Sequence, residues 1–442
     1  MTHDLPKTGP FLPKFLIAPA NWILKKLHRL LGVDIRFFAK NATIVTLSYG
    51  ISILRGIVTG YLVARLFPRE LYGQYQFILS VVGVLGILSL PNVSTALSRA
   101  VARGETGVVM PVARIQFLLS LVGSAALLIM IPFLPTERAA LWPLFVLAAL
   151  LLPVSQTAGS MFLSVTVGKA RFGKALYANL IWSTAMVLAT LLILFLHPSA
   201  ALLFCMGTGL PALTYLWFSR PLIQHVSPPP SVRHILRYGI QLTLASLPLT
   251  LSWYLDKLLI SSLMGLNQLA VFSVAILLPE QIKTWAKELL PVSFAVQARG
   301  NDSRERRMRL LRAVGRSTLL FLLGIVGYVL LAPLIFTIFF PNYPEAVFLS
   351  QVAALMLITV PSSLFTQYLE AQAMLPALRA TRWFAAAVYC LSLIILIPAY
   401  GLLGAVLARG MLRIAYSLSA LYCLLWIPPS PASHESVPAN TK

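Results

Sequence analysis

The sequence predicts an all-α, polytopic membrane protein of about twelve transmembrane helices in two six-helix bundles related in parallel. Three observations predict it. Hydrophobic residues make up 58% of the 442 residues and charged residues only 11%, against roughly 45–50% and about 25% in soluble domains. Apolar runs recur, each near the ~20 residues that cross a hydrocarbon core. Basic residues gather in alternate loops, so the net charge of +22 reads as the positive-inside pattern of a membrane protein and not as a nucleic-acid surface. No sizeable soluble basic domain exists to hold nucleic acid.

The elements follow in order. Residues 1–40 form a basic segment whose Trp22, Ile23, Leu24, Leu27, Leu30 and Leu31 interleave with Lys25, Lys26 and Arg29. That pattern suits a helix lying in the headgroups of an anionic leaflet. A first bundle, 41–218, contains spans at roughly 43–66, 75–97, 115–134, 141–165, 176–196 and 200–218. A cytoplasmic linker, 219–236, carries Pro228, Pro229 and Pro230, which a helix interior does not tolerate. A second bundle, 237–425, contains spans at roughly 238–263, 270–294, 318–340, 346–369, 382–400 and 402–425. Residues 426–442 form a polar cytoplasmic tail.

With both termini inside, the inner loops hold nearly all the basic residues, and the outer loops hold only Arg65, Arg69 and Arg138. A missed span would scramble that alternation. The stretch from Leu62 to Phe77 between spans one and two is weakly repeated from Leu259 to Val274 between spans seven and eight. Gly73 matches Ala270 and Tyr75 matches Phe272. Both copies start on the same side, so the halves are related by an axis along the membrane normal, as in transporters that bind substrate between repeats.

Ionisable side chains inside spans are costly and face a cavity or a partner. The cations are Arg55 in span one, Lys257 in span seven, Lys283 and Lys287 in span eight, and Arg409 and Arg413 in span twelve; the acids are Asp256, Glu280 and Glu288, with Glu370 near the end of span ten. Glu280, Lys283 and Lys287 share one helix face, and so do Arg409, Arg413 and Tyr416. One reading is a hydrated cationic cavity for an anion, since guanidinium and ammonium groups suit phosphate oxygens. The other is internal pairing, such as Glu280 with Lys283, or snorkelling, which fits Lys287. Asp256 beside Lys257 reads as an ion-coupling site or as a neutralised pair.

No Walker loop, nucleophile elbow, zinc-protease helix or dinucleotide fingerprint occurs, so no catalytic role and no cofactor is expected. The histidines form no metal-like cluster. Cys205, Cys390 and Cys423 lie in apolar runs without paired spacing. Without a nucleotide site, the energy for transport comes from an ion gradient, membrane potential or substrate gradient.

Four segments carry a resemblance: the run from Gly50 through Arg55 and Leu62 to Tyr75, the run from Ser94 to Gly104 closing span two, Leu255-Asp-Lys-Leu-Leu-Ile-Ser in span seven, and the stretch from Leu396 to Ala408. Together they resemble bacterial polysaccharide flippases of the multidrug/oligosaccharidyl-lipid/polysaccharide exporter superfamily. Order and spacing from about Phe37 to Leu425 carry the resemblance. It implies two six-helix bundles around a cavity. It implies alternating-access transfer of an undecaprenyl-diphosphate-linked oligosaccharide from the inner to the outer leaflet of the bacterial inner membrane, as for O-antigen. Membrane lipids, a polysaccharide polymerase and chain-length proteins are the partners it implies. Arg55, Lys283, Lys287, Arg409 and Arg413 are the candidates for the lumen cations. Leu90-Pro91-Asn92 stands where the family usually has glycine near the end of span two.

Four rivals compete. A cation-coupled multidrug antiporter of the same superfamily should have an acid-dominated cavity. A peptidoglycan-precursor flippase typically carries two further C-terminal helices. A membrane glycosyltransferase or polymerase needs a large outer loop. A non-transporting assembly scaffold leaves no signature in the sequence.

Overall fold

The computed structural model describes residues 35–196, 198–223, 232–288, 304–371 and 374–426. Of the segments expected above, residues 1–34, 224–231 of the linker and 427–442 of the tail lie outside them. The first lobe comprises α1 (Ile35–Leu66), α2 (Arg69–Leu85), α3 (Val93–Ala102), α4 (Val109–Met130), α5 (Trp142–Gly168), α6 (Phe172–Leu196) and α7 (Ala200–Ile223). The second comprises α8 (Arg233–Leu263), α9 (Leu266–Glu288), α10 (Arg304–Phe339), α11 (Ala346–Leu355), α12 (Ser363–Ala371) and α13 (Leu375–Trp426). No strand occurs among the described residues.

These helices make twelve crossings. α2 and α3 form one, joined by a 3₁₀ turn at Gly86–Ser89. α11 and α12 form another through a 3₁₀ segment at Met356–Ser362 that contains Pro361. α13 is two crossings, because its chain reverses at Gly401 (φ 59°, ψ −131°). A Cβ on Gly404 would sit 1.8 Å from the Leu396 carbonyl oxygen, so the two arms pack back to back. The face that bears the start of α1 and the end of α13 is the terminal face; Gly401 turns on the opposite face.

The break in the second crossing falls at Leu90-Pro91-Asn92. Leu90 is left-handed (φ 54°, ψ 63°), a conformation that favours glycine. The chain therefore departs from the family's residue type at the point where the backbone makes glycine most useful. The helix restarts at Val93.

Packing repeats between lobes. α4 with α5 corresponds to α10 with α11, α1 with α6 to α8 with α13, and α5 with α7 to α12 with α13. The lobes meet through α2 against α8 and α9, α3 against α8, and α1 against α9. Among the described residues, nine stretches are long and apolar enough to cross a membrane by composition, α13 counting as one, and α8 and α9 are not among them. Their place between the lobes makes that polarity tolerable, because lipid is not their solvent. α10, by contrast, turns Leu319, Leu320, Leu323 and Leu330 outward, each about 70% exposed, as a lipid-facing helix should.

Small residues bring the lobes into contact. Gly56 and Gly60, spaced as in membrane helix dimers, lie against Gln281 and Leu277 of α9. At Gly73 a Cβ would sit 2.1 Å from the Leu266 carbonyl oxygen. Backbone cannot give way there, so Gly73→Ala should lower stability by about 1–3 kcal/mol. Gly324→Ala, in open space, should not. Thermal unfolding of the detergent-purified variants checks this; equal midpoints would show that the α2–α9 crossing is looser than described.

Candidate functional site

Three helices of the second lobe place charge in the membrane interior. α8 contributes Asp256 and Lys257, α9 contributes Glu280 and Lys283 one turn apart, and the second arm of α13 contributes Arg409 and Arg413 one turn apart. Arg409 stands eight residues beyond the reversal at Gly401, about 12 Å of helix rise, which is near mid-membrane.

Every carboxylate in this cluster is held by cations. Arg413 donates to Glu280 Oε1 at 2.5 Å and Arg409 at 3.1 Å. Lys283 bonds Glu280 Oε2. Arg409 Nε bonds Asp256 Oδ2, while the Lys257 backbone N–H donates to Asp256 Oδ1 at 2.7 Å. The Lys257 ammonium instead crosses to the first lobe and donates to Gln76 Oε1 at 2.9 Å. Asp256 is fully buried and Lys283 nearly so. Two aromatic faces complete the cations' surroundings: Lys283 Nζ lies 4.4 Å from the Trp253 ring centre and the Arg409 guanidinium 5.2 Å from that of Phe272. Burying a lone ion costs several kcal/mol, so each acid requires its cations.

The bookkeeping of sign decides what the cluster can do. Asp256 and Glu280 face Lys257, Lys283, Arg409 and Arg413, which leaves a formal charge of +2. A cavity of about 340 Å³ opens on the group; Trp253, Thr366, Tyr389 and Tyr416 also line it, and it extends to Arg382 and Glu370. Those two pair at 2.9 Å beside the terminal-face turn. The Nη1 of Arg413 is buried without a hydrogen-bond partner. Such a chamber attracts anions.

The structure thus brings Glu280, Lys283, Arg409, Arg413, Asp256 and Lys257 together. Asp256 takes Arg409 as its partner, and Lys257 takes Gln76, so neighbours in sequence do not form the pair by themselves. Lys287 lies on α9, but its side chain is outside the described residues. Arg55 stands apart in the first lobe. Its guanidinium stacks 3.6 Å over Trp182 and donates to Ser183 at 3.1 Å and Asn179 at 3.5 Å. It forms no ion pair among the described residues.

A second cavity, about 400 Å³, sits in the first lobe and is lined by neutral groups including Ser89, Gln116, Gln156, Ser160, Thr208 and Tyr215. Sequence reading missed it, and also missed Gln76, Trp253 and Tyr389. Amides in apolar spans were the available signal for Gln76, Gln116 and Gln156. Trp253 and Tyr389 look like ordinary core aromatics until the fold is known.

Both faces are closed by contacts between lobes. On the opposite face, Arg65 donates to the Ile338 carbonyl at 3.0 Å and accepts from Asn342 at 3.0 Å through its own carbonyl. Arg69 pairs with Glu345 at 3.3 Å and lies 5.2 Å over Tyr343. Arg138 bonds the Ser261 carbonyl and covers Phe77. Arg65, Arg69 and Arg138, the three arginines that break the alternation of charge expected from the sequence, therefore tie the first lobe to the second on this face. Near the terminal face Arg99 donates to the Tyr238 hydroxyl at 2.6 Å, and deeper between the same two helices Asn92 donates to Ser246 at 2.6 Å.

Two lobes of six crossings, each holding a polar cavity, form a fold shared with solved transporters of the MOP superfamily. The chain belongs to the polysaccharide biosynthesis protein family, whose match covers residues 38–278. No curated protein matches its sequence. Solved structures share the fold at low identity. The lipid II flippase MurJ, in an inward closed conformation, is 14% identical over 87% of each chain with a TM-score of 0.64. An inward-facing multidrug resistance MATE transporter is 15% identical over 86% of this chain and 93% of its own, with a TM-score of 0.63. A MOP-superfamily transporter from Pyrococcus furiosus, described as having a binding pocket of reversed polarity that suggests a different function, is 15% identical over 88% of this chain and 94% of its own, with a TM-score of 0.54.

Two outcomes follow from the ion pairs. Asp256→Ala leaves buried Arg409 only Glu280, which it shares with Lys283 and Arg413, and should cost about 3–5 kcal/mol. Asp256→Leu combined with Arg409→Leu should recover most of that, as read from thermal unfolding. Exposed pairs are worth about 0–1 kcal/mol each, so the opposite-face contacts can open reversibly. In a cysteine-free background, a cysteine replacing buried Val63 should react several-fold faster with an impermeant maleimide when Arg69→Glu is added. Adding Glu345→Arg as well should slow it again.

Proposed function

We propose that the chain is a flippase for an undecaprenyl-diphosphate-linked oligosaccharide, moving it from the inner to the outer leaflet of the bacterial inner membrane by alternating access. The net positive cluster around Glu280 carries this reading. The diphosphate meets Lys283, Arg409 and Arg413, the glycan occupies polar space between and within the lobes, and the polyprenyl tail stays in lipid. Family membership supports the polysaccharide assignment. The neutral first-lobe cavity supports it too, because hydroxyl and amide groups match sugar hydroxyls without competing for the diphosphate.

Sidedness follows from charge. The terminal face collects Arg103, Lys169, Arg171, Lys174, Arg233 and Arg379, so it is the cytoplasmic face, next to anionic headgroups. Crowding there is tangible: burial and then the neighbouring charges of Arg171 and Lys174 lower the pKa of Lys169. The cavity beside Glu370 and Arg382 consequently takes its substrate from the inner leaflet.

An exporter of organic cations is the rival reading, and excess positive charge at mid-membrane opposes it. In a strain lacking the gene, complete diphosphate-linked units should accumulate on the inner leaflet and surface glycan should fall. Arg413→Ala and Lys283→Ala should fail to restore glycan while still inserting into the membrane. Normal glycan sidedness in the null strain, with new sensitivity to cationic drugs, would replace the flippase by the antiporter.

A further inference from the structure

The two acids of the cluster differ in kind. Asp256 is fully buried; Arg409 Nε holds one oxygen and the Lys257 backbone N–H holds the other. It is a fixed counter-ion. Glu280 is 20% exposed, on the cavity side. Its partners are three side chains from two helices: Arg413 and Arg409 on Oε1, Lys283 on Oε2. No backbone N–H is recorded bonding its carboxylate among the described residues. A single carboxylate receiving three cations at the wall of a cavity is in the position of a phosphate group, whose oxygens accept the same donors.

We infer that Glu280 is a resident stand-in for the anionic head of the substrate, holding Lys283, Arg409 and Arg413 gathered while the site is empty and yielding them when a diphosphate enters. This rests on the flippase reading given above, since it takes the substrate's head to be a diphosphate. Physical reasons favour exchange. Four cations within one low-dielectric cluster repel one another unless acids intervene. Asp256 balances only Arg409 directly. Removing Glu280 from the centre without a replacement would strip Arg413 of its counter-ion on the cavity side and Lys283 of the carboxylate it bonds. An incoming diphosphate supplies that replacement, and the buried Arg413 Nη1, which has no hydrogen-bond partner, becomes a further donor to it once Glu280 moves. The glutamate side chain has the torsional freedom to swing aside, whereas the shorter, doubly held Asp256 does not.

The arrangement also sets affinity. An intramolecular carboxylate competes at high effective concentration, so the wild-type protein binds its substrate's head weakly enough to let go on the far side. Binding must be favourable enough to load and weak enough to release.

The test uses full-length protein in nanodiscs of zwitterionic lipid and inorganic pyrophosphate as the probe, read by calorimetry and thermal shift. Glu280→Gln keeps the shape and removes the charge; it should bind pyrophosphate about tenfold or more tightly, about 1.4 kcal/mol. Asp256→Asn should show no such gain. Glu280→Asp, which withdraws the carboxylate from Arg413, should fall between wild type and Glu280→Gln, and it serves alone if Glu280→Gln does not fold. Wild-type binding that is unchanged or weakened in the Glu280 variants would overturn the stand-in while leaving the anion site in place. Absence of pyrophosphate binding in every form, including Glu280→Gln, would overturn the flippase reading of the site instead. Added phosphatidylglycerol should leave the Glu280→Gln gain in place; abolition of the gain would assign the seat to bulk lipid phosphates and overturn the stand-in.

Discussion

Charge cannot stand alone in a membrane interior, and most of this structure answers to that constraint. Asp256, Glu280, Lys257, Lys283, Arg409 and Arg413 come from two consecutive helices and from the second arm of α13, where Arg409 stands 129 residues beyond Glu280. Each acid is satisfied only when those helices are packed together. The cluster therefore fixes how α8, α9 and the second arm of α13 sit, and α8 and α9 are also the helices against which the first lobe rests. Lys257 extends the network across the lobe boundary to Gln76. A polar brace in lipid is weak evidence of stability but strong evidence of a required arrangement.

The boundary between lobes is built differently from the interior of either one. Glycines at 56, 60 and 73 set the distance of approach, while a few exposed ion pairs and hydrogen bonds hold the rims. Close backbone contact gives many weak dispersion terms, and the rim pairs are individually worth little. An interface of that composition separates and re-forms at modest cost. The same chain could not do this if Arg65, Arg69 and Arg138 faced lipid headgroups as ordinary loop charges. Their contacts with Ile338, Asn342, Glu345 and Ser261 explain why the loops on the face opposite the termini carry arginine at all.

Much of this was legible in the sequence, for definite reasons. Hydropathy marks most crossings because lipid demands apolar side chains. Tyr400-Gly401-Leu402 separates the last two although they form one uninterrupted run of helical residues, since only glycine takes φ 59°, ψ −131° easily. Helical spacing put Glu280 with Lys283 and Arg409 with Arg413 on common faces. Which helix each face meets depends on tertiary packing, so the Asp256–Arg409 pair was invisible, and adjacency suggested Lys257 instead. Arg55 looked equivalent to the other buried cations, yet its neighbours are Trp182, Asn179 and Ser183 and no carboxylate. The neutral cavity of the first lobe left little trace beyond its glutamines, because serine and threonine in membrane helices usually hydrogen-bond their own backbone.

The central claim is that the excess positive charge at mid-membrane receives a lipid-linked diphosphate. Native mass spectrometry of the protein purified gently from its host membrane tests it most directly. The account predicts bound polyprenyl-diphosphate species, with glycan attached, that disappear when Lys283 and Arg413 are both replaced by alanine. Recovery of organic cations, or of the same phospholipids in the wild type and the double variant with no diphosphate lipid, would contradict it.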